Sequence, residues 1–337
     1  MDHVRLTETA RALVADGKGL LAADESTGSI RKRFDAVGVE STERSRRDYR
    51  EMLVRTPRVG DHISGVILFD ETLRQEAADG TPLVRLIESA GMIPGIKVDR
   101  GAKPLAPFGS GETVTEGLDG LRERFDEYAS MGARFAKWRA VYSIGDGRPS
   151  AQCIHANAHA LARYAALAQE AGLVPIVEPE VLMDGDHDID ACFEATELVQ
   201  RAVFQELAGQ RVLLEGMLLK PNMVISGAEA ATQAAPEEVA ERTLACFLRT
   251  VPAAVPGIVF LSGGQGDEQA TINLDAINVL ALKIGAPWPL SFSYGRALQQ
   301  AALRTWAGDN DNTPAAQAAF LAQAQANQKA ALGAYAA

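Results

Sequence analysis

Short apolar runs alternate with helical segments along almost the whole chain. Eight of these runs are rich in Val, Ile and Leu, which is typical of strands that are buried on both faces. The segments between them are amphipathic or alanine-rich, and they tend to begin at Ser, Thr or Pro and to stop at Gly, the boundary signals of helices. The predicted strands are residues 20–24, 63–69, 93–99, 134–140, 174–180, 212–220, 257–264 and 288–295.

The count and order of these elements predict an α/β fold, a single (β/α)8 TIM barrel with extra N-terminal and C-terminal helices. No linker or low-complexity segment interrupts the alternation, so we expect one domain over residues 1–337. The last helix is predicted to open at Thr313-Pro314. Residues 101–120 are rich in Gly, Pro and Thr, which predicts a loop with a helix beginning near Gly117.

Composition places the chain among ordinary globular proteins. Of its 337 residues, 47% are hydrophobic and 23% are charged. The net charge of −11 argues against nucleic acid or a membrane surface as partner, but allows a local basic pocket. Three widely spaced cysteines favour neither a disulfide framework nor a zinc site. With no signal peptide and no apolar run of membrane-spanning length, we expect a cytoplasmic protein.

Polar residues stand at the end of every predicted strand, and in such a barrel these ends form the active-site rim. Unpaired charges at an apolar rim are unfavourable, so the pattern indicates either a functional site or a ring of structural salt bridges. Residues two apart share a face of a strand, so neighbouring pairs can both point inward. The rim residues are Asp24, Asp70, Lys97, Asp99, Lys137, Arg139, Glu178, Glu180, Lys220, Ser262, Ser291 and Ser293.

Lys220 is the candidate nucleophile. It follows the apolar run VLLEGMLL, and Pro221 cannot donate to a sheet ladder, so the strand should end at the lysine. Desolvation and a nearby cation disfavour the ammonium form and leave some neutral amine able to attack a carbonyl. The alternative is a strand-terminal lysine whose amine reaches solvent.

Two groups of residues can bind phosphate. Ser262, Gly263 and Gly264 follow the seventh strand, where glycine N–H groups at a helix start can approach an anion, and Arg296 follows the eighth strand. The second group is a hydroxyl and basic run after the first strand together with a lysine at the third strand, although such a run can also be a solvated helix face. This group contains Ser26, Ser29, Lys32, Arg33 and Lys97.

Neither motif with metal-ligand spacing predicts a metal site. His155 and His159 stand at i, i+4, but no obvious third ligand accompanies them, which favours a surface helix. The alternating aspartates between Asp184 and Asp190 lack the glycine and glutamate of a calcium loop. We therefore expect no metal and no cofactor.

Eight motifs in order carry a family resemblance that extends from about residue 17 to the final helix. The chain resembles the class I, Schiff-base fructose-bisphosphate aldolases. The motifs are LLAADESTGSIRKRF, ILFDETLRQ, GIKVDRG, FAKWR, VEPEVLMDGDHDI, LLEGMLLKPNMV, FLSGGQ and LSFSYGRALQ.

The resemblance implies the chemistry of each catalytic residue. Lys220 would form a Schiff base with the C2 ketone of fructose 1,6-bisphosphate or dihydroxyacetone phosphate. Glu178 would be the acid and base of carbinolamine formation and dehydration. Asp24 would take the C4 hydroxyl proton. Lys137 would help keep the nucleophile neutral and stabilise substrate oxygens, and Glu180 would support the same network.

The resemblance also implies the binding residues and the partners. Ser262, Gly263, Gly264 and Arg296 would bind the C1 phosphate, whereas Ser26, Ser29, Arg33 and Lys97 would bind the C6 side, with Arg139 as a further substrate-binding residue. The expected partners are a phosphorylated sugar and other copies of the chain in a homotetramer. The alternatives are an aldolase for another phosphorylated ketose, such as fructose 1-phosphate, and a non-catalytic sugar-phosphate-binding barrel.

Two departures from the family pattern stand out. Asp70 occupies a position where the family often has a histidine. The family's long flexible tail, which ends in a tyrosine that assists proton exchange at C3, is expected to be absent, with residues 314–337 forming the helix before it. Glu178 or water would then carry more of that proton transfer, unless Tyr335 substitutes from a different position.

Overall fold

Eight parallel strands close into a barrel in the computed structural model, which describes residues 2–107 and 111–335. The (β/α)8 barrel predicted from the sequence is confirmed. A separate antiparallel hairpin, β4 and β5, lies outside the ring. The strands are β1 (Gly19–Ala23), β2 (Ile63–Leu68), β3 (Ile93–Lys97), β4 (Ala102–Pro104), β5 (Thr113–Thr115), β6 (Phe135–Tyr142), β7 (Val174–Val181), β8 (Leu218–Leu219), β9 (Ile258–Phe260) and β10 (Leu290–Tyr294).

Helices surround this ring, in which the strands follow the order β1, β2, β3, β6, β7, β8, β9, β10 and back to β1. Side-chain caps start several helices, for example Ser150, which accepts the backbone N–H of Cys153. Within the described residues, no helix combines the length and apolar composition that a membrane crossing needs. The helices are α1 (His3–Ala12), α2 (Thr27–Asp35), α3 (Glu43–Val54), α4 (Asp70–Arg74), α5 (Leu83–Ser89), α6 (Leu121–Ser130), α7 (Ala151–Glu170), α8 (Ile189–Gly209), α9 (Pro236–Thr250), α10 (Asp267–Ile284), α11 (Arg296–Trp306) and α12 (Thr313–Ala331).

A cluster of buried apolar side chains, which we call the apolar plug, fills the barrel at the amino ends of its strands. Leu6 and Ala10 of α1 belong to the same buried cluster as Phe135, Ile176 and Leu218 of the strands. The amino ends of the strands are therefore filled by apolar side chains, and the polar residues of the interior are left to the carboxyl ends.

The sixth predicted strand is much shorter than expected. Instead of a strand over residues 212–220, a 3₁₀ turn occupies Leu214–Gly216 and only Leu218–Leu219 pair as strand. The reason is Gln169 of α7, whose amide accepts from the Leu213 N–H at 2.9 Å and donates to the carbonyls of Leu213 and Gly216 at 2.8 and 3.2 Å. This side chain takes hydrogen bonds that strand partners would otherwise supply.

The connection over residues 101–120 is not wholly a loop. It contains the hairpin of β4 and β5, and α6 begins at Leu121 rather than near Gly117. Gly117 and Gly120 have φ values of +129° and +65°, which are left-handed conformations that delay the helix. Residues 108–110 of this connection lie outside the described residues.

Two glycines make room for the aromatic rings inside the barrel. A Cβ at Gly95 would lie 2.3 Å from the Phe135 ring, and one at Gly19 would lie 2.4 Å from the Phe292 ring. Gly95→Ala is therefore expected to lower the free energy of unfolding by about 1–3 kcal/mol through overpacking. Chemical denaturation measures this change.

A matched substitution separates overpacking from the general effect of alanine. A Cβ at Gly209, in the last turn of α8, has no atom within 4 Å, so Gly209→Ala should shift stability by less than about 1 kcal/mol. Shortening the ring in a Gly95→Ala, Phe135→Leu double variant should restore part of the loss. Equal stability of the two alanine variants would disprove the packing explanation.

Candidate active site

One cavity of about 1000 Å³ lies at the carboxyl ends of the barrel strands. It brings together residues from all eight strand ends and the loops that follow them. Of the fifteen residues predicted for catalysis or phosphate binding, all but Lys32 line it: Asp24, Ser26, Ser29, Arg33, Lys97, Lys137, Arg139, Glu178, Glu180, Lys220, Ser262, Gly263, Gly264 and Arg296.

Four charges of alternating sign form a row at the floor of this cavity, three of them buried and Asp24 partly exposed. Lys137 of β6 reaches across the barrel, so that its Nζ lies 2.7 Å from Asp24 Oδ2 and 2.9 Å from Glu178 Oε2. The other oxygen of Glu178 lies 3.2 Å from Lys220 Nζ. We call these four residues the charge row. Each inner member contacts two opposite charges.

Burial and the neighbouring charges act in opposite directions on the pKa values of the charge row. Burial raises the pKa of Asp24 and Glu178, but Lys137 and Lys220 outweigh it and hold both pKa values below the ordinary range. Burial also lowers the pKa of Lys137, yet the two carboxylates outweigh it and raise that pKa. Asp24, Lys137 and Glu178 therefore stabilise one another as ions.

Lys220 stands at the end of β8 in the position that its sequence predicts. Although β8 is short, the Lys220 N–H still donates to the Val177 carbonyl of β7 at 2.8 Å. The lysine side chain is only 4% exposed. The solvent-exposed alternative for this lysine is therefore wrong, because its amine lies buried beside Glu178.

A second layer of ion pairs lies above the charge row. Arg139 pairs with Glu180, and Lys97 Nζ lies 2.5 Å from Asp99 Oδ1. Burial lowers the pKa of Arg139, but Glu180 outweighs it and raises that pKa. Asp99 also accepts the Arg139 N–H at 3.2 Å, so the two pairs are connected.

The turn after β9 has the conformation expected of an anion-binding segment. Gly263 and Gly264 have φ values of +58° and +90°, and Arg296 donates to the Gly264 carbonyl at 2.9 Å. However, α10 begins at Asp267, three residues beyond the glycines, and carries acidic residues in its first turn. The expectation that these glycines stand at the start of a helix is therefore wrong, because they form a separate turn ahead of it.

The opposite wall of the cavity is formed by the start of α2. Ser26 caps this helix, and its hydroxyl lies 3.1 Å from that of Ser29. Arg33, one helical turn further on, pairs with Glu25. Lys32, which the sequence placed in the same group, is exposed and does not line the cavity.

The sequence placed Asp70 at the rim but missed Arg74 and Tyr128, the two partners with which it completes the wall near Lys97. Asp70 lies 3.0 Å from Arg74 and accepts a 2.9 Å hydrogen bond from Tyr128. Burial raises the pKa of Asp70, but these two partners outweigh it and lower the pKa. The i, i+4 spacing of Asp70 and Arg74 was the available signal, but it was obscured because α4 has only five residues.

Two further polar residues lie away from the cavity. The Ser291 hydroxyl donates to the Lys18 carbonyl, at the amino end of β1, so its assignment to the rim is wrong. Tyr335 lies on the outer surface, where its N–H donates to Asp275 of α10. It is not among the residues that line the cavity.

The histidine pair on α7 is part of an interhelix contact. His155 and His159 lie 3.5 and 3.0 Å from the carboxylate of Glu206 on α8. Over residues 2–107 and 111–335, no group of three or more His, Cys, Asp or Glu side chains is arranged to hold a metal ion.

The cavity is positively charged although the chain carries a net charge of −11. Among the described residues, six acidic side chains line it, and nine basic ones outnumber them. Such an excess suits an anionic ligand, because apolar walls focus the field of the lining charges. The basic residues are Arg33, Arg74, Lys97, Arg100, Arg124, Lys137, Arg139, Lys220 and Arg296.

Removing the charge of Asp24 should change how the free energy of unfolding depends on pH in the acid range. A carboxylate with a lowered folded-state pKa contributes stability that is present above its unfolded pKa and is lost as pH falls through the folded pKa. We expect Asp24→Asn to lower the free energy of unfolding at pH 7, and the two profiles to converge below about pH 4. Urea denaturation at a series of pH values measures both.

An exposed carboxylate provides the control for this profile. Glu229→Gln, on the exposed loop after β8, should leave the profile unchanged. Parallel curves for Asp24→Asn and the unmodified chain, with no convergence at acid pH, would be inconsistent with an ionised Asp24 stabilised by Lys137.

Comparisons with known proteins show the family of the chain. The family model of class-I fructose-bisphosphate aldolase matches residues 5–337. A probable fructose-bisphosphate aldolase class 1 of Xanthomonas campestris is 59% identical over 99% of both chains. The cytosolic fructose-bisphosphate aldolase 6 of Arabidopsis thaliana is 56% identical over 98% of this chain and 91% of its own. A solved structure of the fructose-bisphosphate aldolase of Plasmodium falciparum, in complex with TRAP and a small-molecule inhibitor, is 49% identical, has a TM-score of 0.96 and covers 98% of this chain and 95% of its own. The chain therefore belongs to the class-I fructose-bisphosphate aldolase family.

Proposed function

We propose that this chain cleaves fructose 1,6-bisphosphate reversibly to dihydroxyacetone phosphate and glyceraldehyde 3-phosphate, through a Schiff base on Lys220. The observation that carries the proposal is the charge row, in which a buried amine lies 3.2 Å from a carboxylate able to move its proton. The reaction belongs to glycolysis and, in reverse, to gluconeogenesis.

The first stage is formation of the Schiff base. Glu178 takes a proton from the Lys220 ammonium, and the neutral amine attacks the C2 ketone to give a carbinolamine. The same carboxyl group then protonates the C2 hydroxyl, which leaves as water, and a protonated imine remains. Glu178 serves in both steps because its other oxygen, Oε2, remains paired with Lys137 while Oε1 exchanges the proton.

The second stage is cleavage of the C3–C4 bond. Asp24 takes the C4 hydroxyl proton, the bonding electrons move to the imine nitrogen, and glyceraldehyde 3-phosphate leaves. The resulting enamine is protonated at C3 by water, or by Glu178 after it has taken a proton from water, and hydrolysis releases dihydroxyacetone phosphate. The position of Tyr335 on the outer surface favours these donors over that tyrosine.

Both substrate phosphates are held by cations at the cavity walls. The C1 phosphate binds Ser262, Gly263, Gly264 and Arg296, and the C6 side binds Ser26, Ser29, Arg33 and Lys97, with Arg139 between the walls. Since the protonated imine accepts the electrons, the reaction needs no metal and no cofactor.

We further infer a cytoplasmic homotetramer. The Arabidopsis relative is named cytosolic, and the three cysteines of this chain are buried free thiols, as suits a reducing compartment.

Val279, Leu282 and Leu332 expose apolar surface between α10 and α12 that an oligomer can cover. Sedimentation equilibrium should give four chains per particle, and a monomer at micromolar concentration would exclude this assembly.

Borohydride trapping tests the Schiff base. With dihydroxyacetone phosphate present, reduction of the imine should inactivate the protein irreversibly and add the reduced three-carbon phosphate to Lys220, as peptide mass spectrometry measures. Glu178→Gln should slow both trapping and turnover by roughly 10²–10⁴-fold, the usual contribution of a positioned acid or base.

Two controls make the trapping experiment decisive. Lys220→Arg keeps the positive charge but removes the nucleophile, so it should abolish labelling and turnover. Turnover by the unmodified chain should persist in a chelator. Labelling at another lysine, or loss of activity on chelation that an added divalent cation restores, would refute the proposed mechanism.

A further inference from the structure

Arg50 of α3 lies behind the cavity wall and bridges the ends of β1 and β2. Only 2% of it is exposed. Its Nη2 donates to the Glu25 carbonyl at 2.8 Å, and its Nη1 lies 3.6 Å from Glu71 Oε1. Glu71 is already held by Arg46 through two hydrogen bonds of 2.8 and 2.5 Å. Only Nη2 of the Arg50 guanidinium therefore makes a hydrogen bond, and the ion pair of Nη1 with Glu71 is long.

Complementary groups of Arg50 and Glu25 are buried without hydrogen-bond partners. Nε and Nη1 of Arg50 have none, and neither has Oε2 of Glu25. The Arg50 Nη2 atom lies 3.9 Å from this same Oε2, just beyond hydrogen-bond distance. Unsatisfied buried groups are uncommon in native proteins, and here a donor set and an acceptor are adjacent.

The other oxygen of Glu25 binds the arginine that lines the cavity. Its Oε1 accepts from Arg33 and, at 3.2 Å, from Gln299. Arg33 also reaches the end of β10, where its Nη2 would lie 3.4 Å from a Cβ on Gly295. Arg33 therefore has two possible partners, the Glu25 carboxylate beneath it and an anion in the cavity.

We propose that Arg50 is a positioning residue that takes over the Glu25 carboxylate when a substrate phosphate engages Arg33. A phosphate attracts a guanidinium in bidentate geometry and competes with Glu25 for it. Without a second cation, the buried carboxylate of Glu25 would keep only its hydrogen bond from Gln299, which strongly opposes the exchange. Arg50 removes this obstacle, since a small torsional change would bring its Nη2, now 3.9 Å from Oε2, within hydrogen-bond distance of that oxygen.

This inference rests on the proposed function only in assigning Arg33 to a substrate phosphate. Arg50 itself does not line the cavity. Its loss should therefore weaken binding of substrate and transition state equally, which raises KM and leaves kcat unchanged. We expect Arg50→Met to raise KM for fructose 1,6-bisphosphate about tenfold with kcat within about twofold of the unmodified chain.

The decisive measurement is a double-mutant cycle between Arg50→Met and Glu25→Gln. A neutral amide at residue 25 holds Arg33 less tightly and needs no replacement cation, so it should restore KM in the Arg50→Met background. Arg50→Lys, which keeps the charge but fewer donors, should give an intermediate KM. Arg46→Met is the matched control, because it removes a buried arginine of the same helix that holds Glu71, and it should leave KM within about twofold.

Titration calorimetry with a non-reactive hexitol 1,6-bisphosphate separates this inference from the proposed reaction. If turnover is absent in the unmodified chain, the aldolase proposal fails, whereas the binding cycle still reports on Arg50. If Arg50→Met folds poorly, Arg50→Lys and the double variant supply the cycle. Additive effects on bisphosphate affinity, or equal KM changes for the Arg50 and Arg46 variants, would overturn the proposal, and coupling between Arg50 and Glu25 supports it.

Discussion

The active centre depends on holding four charges in alternating order within a largely apolar barrel. Asp24, Lys137, Glu178 and Lys220 are individually unfavourable in that setting, and each is stabilised by a neighbour of opposite sign at 2.7–3.2 Å. Because the inner members are shared, removal of one leaves another unpaired. In the proposed reaction, the carboxylate that takes the proton of Lys220 therefore already lies beside its amine.

The layered interior of the barrel determines where these charges can lie. Along the inward face of β6, Phe135, Lys137 and Arg139 follow one another at intervals of two, from the apolar plug to the rim. On β7 the same order is Ile176, Glu178 and Glu180. The barrel thus has an apolar floor, a buried ionic layer and a partly open ionic layer, and the two-residue period of the strands keeps the layers separate.

This layering explains how far the sequence could predict the site. The period of two is local, so inward-facing Lys137 and Glu178 followed from their own strands. The shortening of β8 was not predictable locally, because Gln169 makes the responsible hydrogen bonds from 44 residues away in the chain.

The Glu25–Arg50 contact was hidden for the same reason. It joins a strand end to a helix whose face could not be oriented from sequence alone. The late start of α10 has a different cause, since Gly263 and Gly264, which the sequence joined to the helix, form a turn with positive φ values ahead of it. Patterns within one element were therefore reliable guides, whereas contacts between elements were not.

Carboxylate partners also shape how the cavity can bind a phosphorylated ligand. Three of the proposed phosphate-side cations already have internal acids: Arg33 with Glu25, Lys97 with Asp99, and Arg139 with Glu180. In the proposed complex, binding is thus an exchange of carboxylate for phosphate, and the net affinity is the difference between two strong interactions. Such an exchange allows recognition of a bisphosphate without holding either phosphorylated product too tightly, which a reversible cleavage reaction requires in both directions.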